Sequence, residues 1–160
     1  MRIRFKKGNN HDTLTCLRDD GTSTWATARP GRVEHDLVHY AVETTMGYDR
    51  AFYGAVARGR DLDAFGRVDP EVGRKRRPTR QAHHAEHLVS LLQADRRGGV
   101  LGDLSAALAE ARARGAVPPD VTDEQFDRAR QRAAELLGRW AELPAGATLE
   151  LPFPAPREGR

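Results

Sequence analysis

The chain has 160 residues, of which 39% are apolar and 31% are charged, and its formal net charge is +3. This composition is typical of a globular protein that can bury a core, and the chain lacks the run of about 18 apolar residues that a membrane span requires. The charge excess is too small to favour nucleic-acid binding by itself, because dedicated binders concentrate more positive charge on one face.

The start of the chain and its cysteine content favour a cytoplasmic location. The first ten residues, MRIRFKKGNN, contain no apolar segment of the kind found in secretory signals. Cys16 is the only cysteine, so no internal disulfide can form. We therefore expect a reduced, cytoplasmic protein with no membrane partner.

Alternating apolar and polar residues predict an antiparallel meander in the first thirty residues. Its three strands are expected at residues 1–6, 13–18 and 22–28. Turn sequences G-N-N at 8–10 and D-D-G at 19–21 separate them. Residues 147–153 alternate weakly and could add a C-terminal strand to the same sheet.

Apolar residues at helical spacing predict five helices. Their expected ranges are 33–47, 50–58, 80–97, 103–114 and 122–143. Gly47 is the expected C-cap of the first helix. The expected N-caps of the next three are Asp49, Thr79 and Asp103. Thr122 and Gln125 have the spacing of a capping box for the fifth.

These elements predict an α+β fold, in which a three-stranded N-terminal meander, with a possible C-terminal strand, packs on about five helices. We expect one domain over residues 1–153 and a flexible tail over residues 154–160. Helix 33–47 should be the most central helix. Trp25 and Trp140 are interpreted as packing residues of the core or the sheet face.

The first predicted helix combines an apolar stripe with a polar seam. His35, His39 and Glu43 are four residues apart, so they lie on successive turns of one helix face. His35 falls at the edge of the apolar stripe, and His39 and Glu43 lie further toward the polar side. This spacing suits two imidazoles and a carboxylate that bind one metal ion.

The segment His35-Asp36-Leu37-Val38-His39 resembles the H-E-x-x-H motif of zinc metallopeptidases, in which two histidines bind zinc and the glutamate holds the attacking water. The resemblance covers about a dozen residues. It departs at Asp36, whose side chain is one methylene shorter, and this puts peptidase activity in doubt. Asp36 is the candidate catalytic residue, and Glu71, His84 and Glu86 are positional candidates for a third ligand.

A second histidine cluster, HHAEH at residues 83–87, lies in the third predicted helix. His84 falls on the border of that helix's apolar stripe, and His87 shares a face with His83. If the two helices are neighbours, His35, His39 and Glu43 with His84 or His87 would bind zinc or another divalent transition metal. The alternative is that these are ordinary surface or half-buried histidines.

The wider segment HDLVHYAVE, at residues 35–43, resembles a helix found in small uncharacterised bacterial proteins, where H-D-L-x-H-Y-x-V-E follows an N-terminal strand meander. The resemblance covers roughly residues 1–60. It implies a shared fold and brings no activity with it.

Two other functions remain open. The densest positive patch, which could contact phosphates of a nucleic acid or an acidic partner, consists of Arg74, Lys75, Arg76, Arg77 and Arg80. No base-stacking aromatic accompanies this patch, and a solvated loop is the simpler interpretation. The histidine seam could instead belong to a non-catalytic protein–protein interaction module, such as a homo-oligomer interface. The leading hypothesis remains a divalent metal site, with a metal-dependent hydrolase as the enzymatic version of it.

Overall fold

The computed structural model of the protein describes residues 1–28, 31–67, 77–96 and 104–155. Four strands form one antiparallel sheet in the order β3-β2-β1-β4. The strands are β1 (Arg2–Lys6), β2 (Asp12–Leu17), β3 (Ser23–Ala28) and β4 (Thr148–Pro152). The predicted meander and the C-terminal strand are therefore both confirmed.

Strand register gives the sheet one buried face and one exposed face. Ile3 of β1 lies opposite Cys16 of β2 on one side and Leu151 of β4 on the other, and all three are buried. Because successive side chains point to opposite faces of a strand, Arg2 and Arg4 point the other way and are exposed. The buried face packs into the helical part of the core.

Five helices follow the meander, as predicted. They are α1 (Arg32–Met46), α2 (Phe52–Ala57), α3 (Arg80–Arg96), α4 (Leu104–Ala113) and α5 (Asp123–Glu142). A 3-10 turn, Leu62–Ala64, lies in the described part of the segment between α2 and α3. None of the helices in the described part of the chain has the length and apolar content needed to cross a membrane.

Most of the predicted helix ends are confirmed. Gly47 ends α1 in the left-handed region, with φ of 67°. The Thr79 hydroxyl accepts a hydrogen bond from the Ala82 N–H at 3.1 Å and so caps α3. Both bonds of the Thr122–Gln125 capping box are present at the start of α5. The predicted cap Asp103, and residues 156–160 of the predicted tail, lie outside the described residues.

The start of α2 differs from the prediction. The helix begins at Phe52 rather than at residue 50, and its N-cap residue, Ala51, has no capping side chain. Asp49 is therefore not the cap. The first N–H groups of a helix have no partner within it, and here the carboxylate of Glu43 accepts them from Phe52, Tyr53 and Gly54. A side chain from α1 replaces the local cap, which sequence spacing does not reveal.

Helix α1 packs against α2, α3 and α5. Its apolar residues Val33, Leu37, Val38 and Val42 are fully buried. His39 and Glu43, which we expected toward the polar side, are buried as well, because α2 and α3 pack against α1 there. Tyr40 of α1 donates its hydroxyl to the carbonyl of Pro152 at 2.6 Å and so ties the helix to β4. Because α1 packs against three helices, the polar seam of His35, His39 and Glu43 has a fixed position relative to its neighbours.

The Cys16 thiol is expected to be unreactive in the folded protein. Its side chain is fully buried on the inner face of the sheet, and burial raises the pKa of the thiol to about 12. Because the thiolate is the reactive form, alkylation at neutral pH should be slow until the chain is unfolded in denaturant. Mass spectrometry after timed treatment with iodoacetamide measures this, and rapid labelling of the native protein would contradict the packing described here.

Candidate metal centre

Helices α1 and α3 bring three potential metal ligands together. One ligand atom from each of His35, His39 and Glu86 lies within 4.8 Å of the other two. His35 and His39 stand on successive turns of α1, with ring centroids 4.7 Å apart. Glu86 reaches them from α3. Two imidazoles and a carboxylate at this spacing form a donor set that suits a divalent transition metal.

His39 is the buried centre of the group, with a side chain that is only 5% exposed. Its Nε2 atom lies 3.5 Å from the Glu86 Oε1 atom, and its Nδ1 atom lies 3.6 Å from the Glu43 Oε1 atom. Each ring nitrogen therefore faces a different carboxylate. An ion between His39 and Glu86 would use Nε2, which leaves Nδ1 directed at Glu43.

Glu43 links α1 to the start of α2 through backbone hydrogen bonds. Its carboxylate is fully buried, with Oε1 accepting from the Phe52 N–H at 3.1 Å and Oε2 from the Tyr53 N–H at 3.0 Å. Burial raises the pKa of Glu43, while His39 and the backbone donors act against that rise. We assign the charged form, because three N–H groups point at its two oxygens. Glu43 thus lies on the side of His39 opposite Glu86.

Two carboxylates control the charge of His39. Burial alone would lower the pKa of this imidazole, but its contacts with Glu43 and Glu86 outweigh burial and raise the pKa to about 9. The same contact lowers the pKa of Glu86. The 3.6 Å separation from Glu43 is longer than a hydrogen bond, so that contribution is mainly electrostatic. The two carboxylates therefore favour a positive charge at this position.

Asp36 lies beside the Nδ1 atom of His35, as Glu43 lies beside the Nδ1 atom of His39. Its buried Oδ1 atom lies 3.5 Å from the Nδ1 atom of His35 and 3.2 Å from the Nε atom of Arg32. The His35 Nδ1 atom is itself buried and makes no hydrogen bond within the described part of the chain. Asp36, the candidate catalytic residue, thus lies beside a member of the group, which among the described residues does not include Asp36 itself. Its ion pair with Arg32 occupies the oxygen that faces His35.

One side of the group is open to solvent. The Glu86 side chain is 63% exposed and the His35 side chain is 30% exposed, whereas His39 lies beneath them. An ion could therefore enter from the Glu86 side without movement of the core.

His84 and His87 lie on α3 with Glu86 but are not members of this group of described residues. His84 lies near the Tyr48 ring, at a centroid distance of 6.4 Å, and its pKa is lowered by burial and by Arg80. Burial and the charge of Arg114 lower the pKa of His87. The Nε2 atoms of both are buried and have no hydrogen-bond partner among the residues that the structure describes. Among the described residues, the group at metal-binding distance includes neither of them and does not include Glu43.

The predicted basic patch is only partly described. Arg77 and Arg80 are exposed, and Arg80 is the first residue of α3. Arg74, Lys75 and Arg76 lie outside the described residues, as does Glu71, which was a positional candidate for a metal ligand. The patch therefore remains a prediction from the sequence.

Comparison with known proteins gives no further identification, because no family model, no curated protein and no solved structure matches the chain. The site must be interpreted from its own geometry. Sequence reasoning placed Glu86 among the positional candidates for a third ligand, and the geometry singles it out.

Proposed function

We propose that this protein binds one divalent transition metal ion through His35, His39 and Glu86, and that zinc is the ion that fits best. The observation that supports this most strongly is the convergence of two imidazoles and one carboxylate from α1 and α3 within 4.8 Å. Zinc is commonly held by nitrogen and carboxylate ligands in this combination. Three protein ligands with an exposed side are also typical of zinc sites that keep one position open.

The residues around the ligands support the same proposal. A histidine that binds a metal through one nitrogen usually directs the other at a carboxylate or carbonyl, which fixes the ring. Here Asp36 lies beside Nδ1 of His35 and Glu43 lies beside Nδ1 of His39. Both rings are thereby left with Nε2 for the ion. We therefore treat Asp36 and Glu43 as orienting residues in the proposed site.

The open position suggests which reactions to assay. A divalent ion with one water ligand lowers the pKa of that water and can supply hydroxide near neutral pH. Glu86 is exposed beside this position. The charge of Arg32 adds to the effect of His39 in lowering the pKa of Glu86. Hydrolysis is therefore the reaction class we would assay first in the metal-loaded protein.

Variants of the proposed ligands test the site directly. We expect His35→Ala and Glu86→Gln each to weaken zinc affinity by more than the roughly 10- to 100-fold loss typical of a residue that only orients a ligand. Competition with a zinc-binding dye would measure the affinity. Both side chains are partly exposed, so the fold should survive the substitutions.

Matched controls separate this ligand set from the other histidines. His83→Ala removes an exposed imidazole from α3, and Glu110→Gln removes an exposed carboxylate from α4. His84→Ala and His87→Ala remove the two histidines that the sequence had placed at the site. All four variants should bind zinc as tightly as the natural protein. Loss of affinity in His84→Ala or His87→Ala, with His35→Ala unaffected, would contradict the proposed ligand set.

Zinc affinity should increase with pH. Because His39 in the metal-free protein has its pKa raised to about 9, a proton must leave this imidazole before the ion binds at neutral pH. Affinity should rise about tenfold per pH unit while that single proton is displaced. Dye competition over roughly pH 6 to 8 would show this. An affinity that stays constant over that range would show that His39 is not a ligand.

A further inference from the structure

The outer face of the sheet is exposed and carries an unusual set of side chains. The cross-strand row Trp25, Thr15, Arg4 and Glu150 runs from β3 through β2 and β1 to β4. The next row along the strands contains Thr27, Thr13, Lys6 and Thr148. The third row contains Ser23, Leu17, Arg2 and Pro152. We call these three rows the outer sheet face.

Positive charge is concentrated along the middle of this face. Arg2, Arg4 and Lys6 are the outward residues of the central strand β1, and all three are exposed. Glu150 is the acidic residue on the face, and it pairs with both arginines, at 3.7 Å from Arg2 and 2.5 Å from Arg4. Three cations against one carboxylate leave an excess of positive charge that a polyanion would complement.

Trp25 adds an aromatic surface beside this charge. Trp25 lies on the sheet face, one of the two places predicted for it, but its side chain is 66% exposed, whereas Trp140 is buried in the core at 3%. Trp25 lies two strands away from Arg4 in the same row, a distance of about 10 Å at the usual strand spacing. The exposed indole of Trp25 therefore presents apolar area to solvent and is not part of the hydrophobic core.

We propose that the outer sheet face binds single-stranded nucleic acid. A base would stack on the indole of Trp25, and the backbone phosphates would pair with Arg2, Arg4 and Lys6. Aromatic stacking beside a line of basic residues is the general chemistry of single-strand recognition, because every unpaired base offers a flat face and every linkage a charge. Threonine hydroxyls of β2 and β3 flank this path and can donate to phosphate or base oxygens. This surface is separate from the proposed metal site and does not depend on it.

Fluorescence anisotropy of a labelled oligouridylate with the full-length protein tests the proposal. We expect Trp25→Ala to weaken binding roughly tenfold, because stacking of one base is lost. Trp25→Phe keeps an aromatic ring and should lose less. The triple variant Arg2→Gln, Arg4→Gln, Lys6→Gln should bind far more weakly and show a smaller dependence of affinity on salt, since each lost phosphate contact lowers that slope by about 0.7.

Control variants keep the test specific. Arg112→Gln and Arg128→Gln remove exposed arginines from α4 and α5, and they should leave oligouridylate binding unchanged. Intrinsic fluorescence provides a second measurement, because quenching by the oligonucleotide should come from exposed Trp25 and disappear in Trp25→Phe, where buried Trp140 remains. No binding at low salt, or binding that Trp25→Ala leaves unchanged, would overturn the proposal. Binding to anionic lipid vesicles without binding to oligouridylate would overturn it in favour of a membrane surface.

Discussion

Replacement of Glu43 by alanine is expected to lower the free energy of unfolding by about 3–5 kcal/mol. The substitution leaves the N–H groups of Phe52, Tyr53 and Gly54 without an acceptor at the start of α2. It also leaves His39 buried beside an empty space where its carboxylate had been. Buried donors without a partner each cost about 1–3 kcal/mol, so the loss should be large even if α2 partly rearranges.

Urea denaturation followed by circular dichroism measures this change. Glu43→Gln keeps one acceptor oxygen and should lose less stability than Glu43→Ala. The exposed residue Glu142 supplies the control, since Glu142→Ala removes the same side chain from the surface of α5 and should change stability by less than about 0.5 kcal/mol. A loss below about 1 kcal/mol for Glu43→Ala would show that this carboxylate does not hold α2 in place.

Substitution of Gly54 by alanine should also be strongly destabilising, by about 3 kcal/mol, the upper end of the usual cost of overpacking. A Cβ atom at this position would overlap the backbone of Asp49, closer than real Cβ atoms approach other atoms. Backbone atoms cannot turn aside as a flexible side chain can, so α2 would have to move away from the segment that precedes it. That movement would also lengthen the bond from the Gly54 N–H to Glu43, which is already 3.4 Å.

Gly138 is the matched control for this substitution. It lies within α5, and a Cβ atom there would meet nothing within 4 Å. Gly138→Ala should therefore be neutral or stabilising by up to about 1 kcal/mol, because alanine is the better helix former. Thermal denaturation of both variants gives the comparison. Equal effects at the two positions would show that Gly54 matters only through helix propensity and not through its contact with Asp49.

The architecture was predictable because its signals are local. Alternation predicted the three strands of the meander, and the capping box at Thr122 predicted the start of α5 to within a residue. The start of α2 was not predictable in the same way. Its cap, Glu43, comes from another helix, and no spacing rule connects it with Phe52 or Gly54.

The candidate site was predictable on one helix and less so on the other. Helical spacing places His35 and His39 together whatever surrounds them, and the structure confirms that they share a face. On α3, His84 and Glu86 are two residues apart, so at about 100° per residue they fall on opposite borders of the apolar stripe. Periodicity identifies both borders but not which one faces α1. In the structure the border that carries Glu86 faces this part of α1, and Glu86 Oε1 lies 3.5 Å from His39 Nε2.

The ligand preference of zinc also favours histidine over glutamate when ligands are predicted from sequence. Imidazole suits zinc better than carboxylate does, so the HHAEH segment predicts His84 and His87 as ligands ahead of Glu86. These residues differ in how deeply they are buried in the structure. His84 is buried near Tyr48, whereas Glu86 is largely exposed and still within reach of His39. A ligand on the solvent side is what an ion entering from water would meet first.

Anomalous X-ray diffraction at the zinc absorption edge, from crystals of the full-length protein grown with zinc, tests the central claim most directly. The account predicts one strong peak between the side chains of His35, His39 and Glu86, at distances of about 2.0–2.2 Å from two imidazole nitrogens and a carboxylate oxygen. Zinc bound beside His84 and His87, or the absence of any peak between α1 and α3 in crystals soaked in excess zinc, would contradict it.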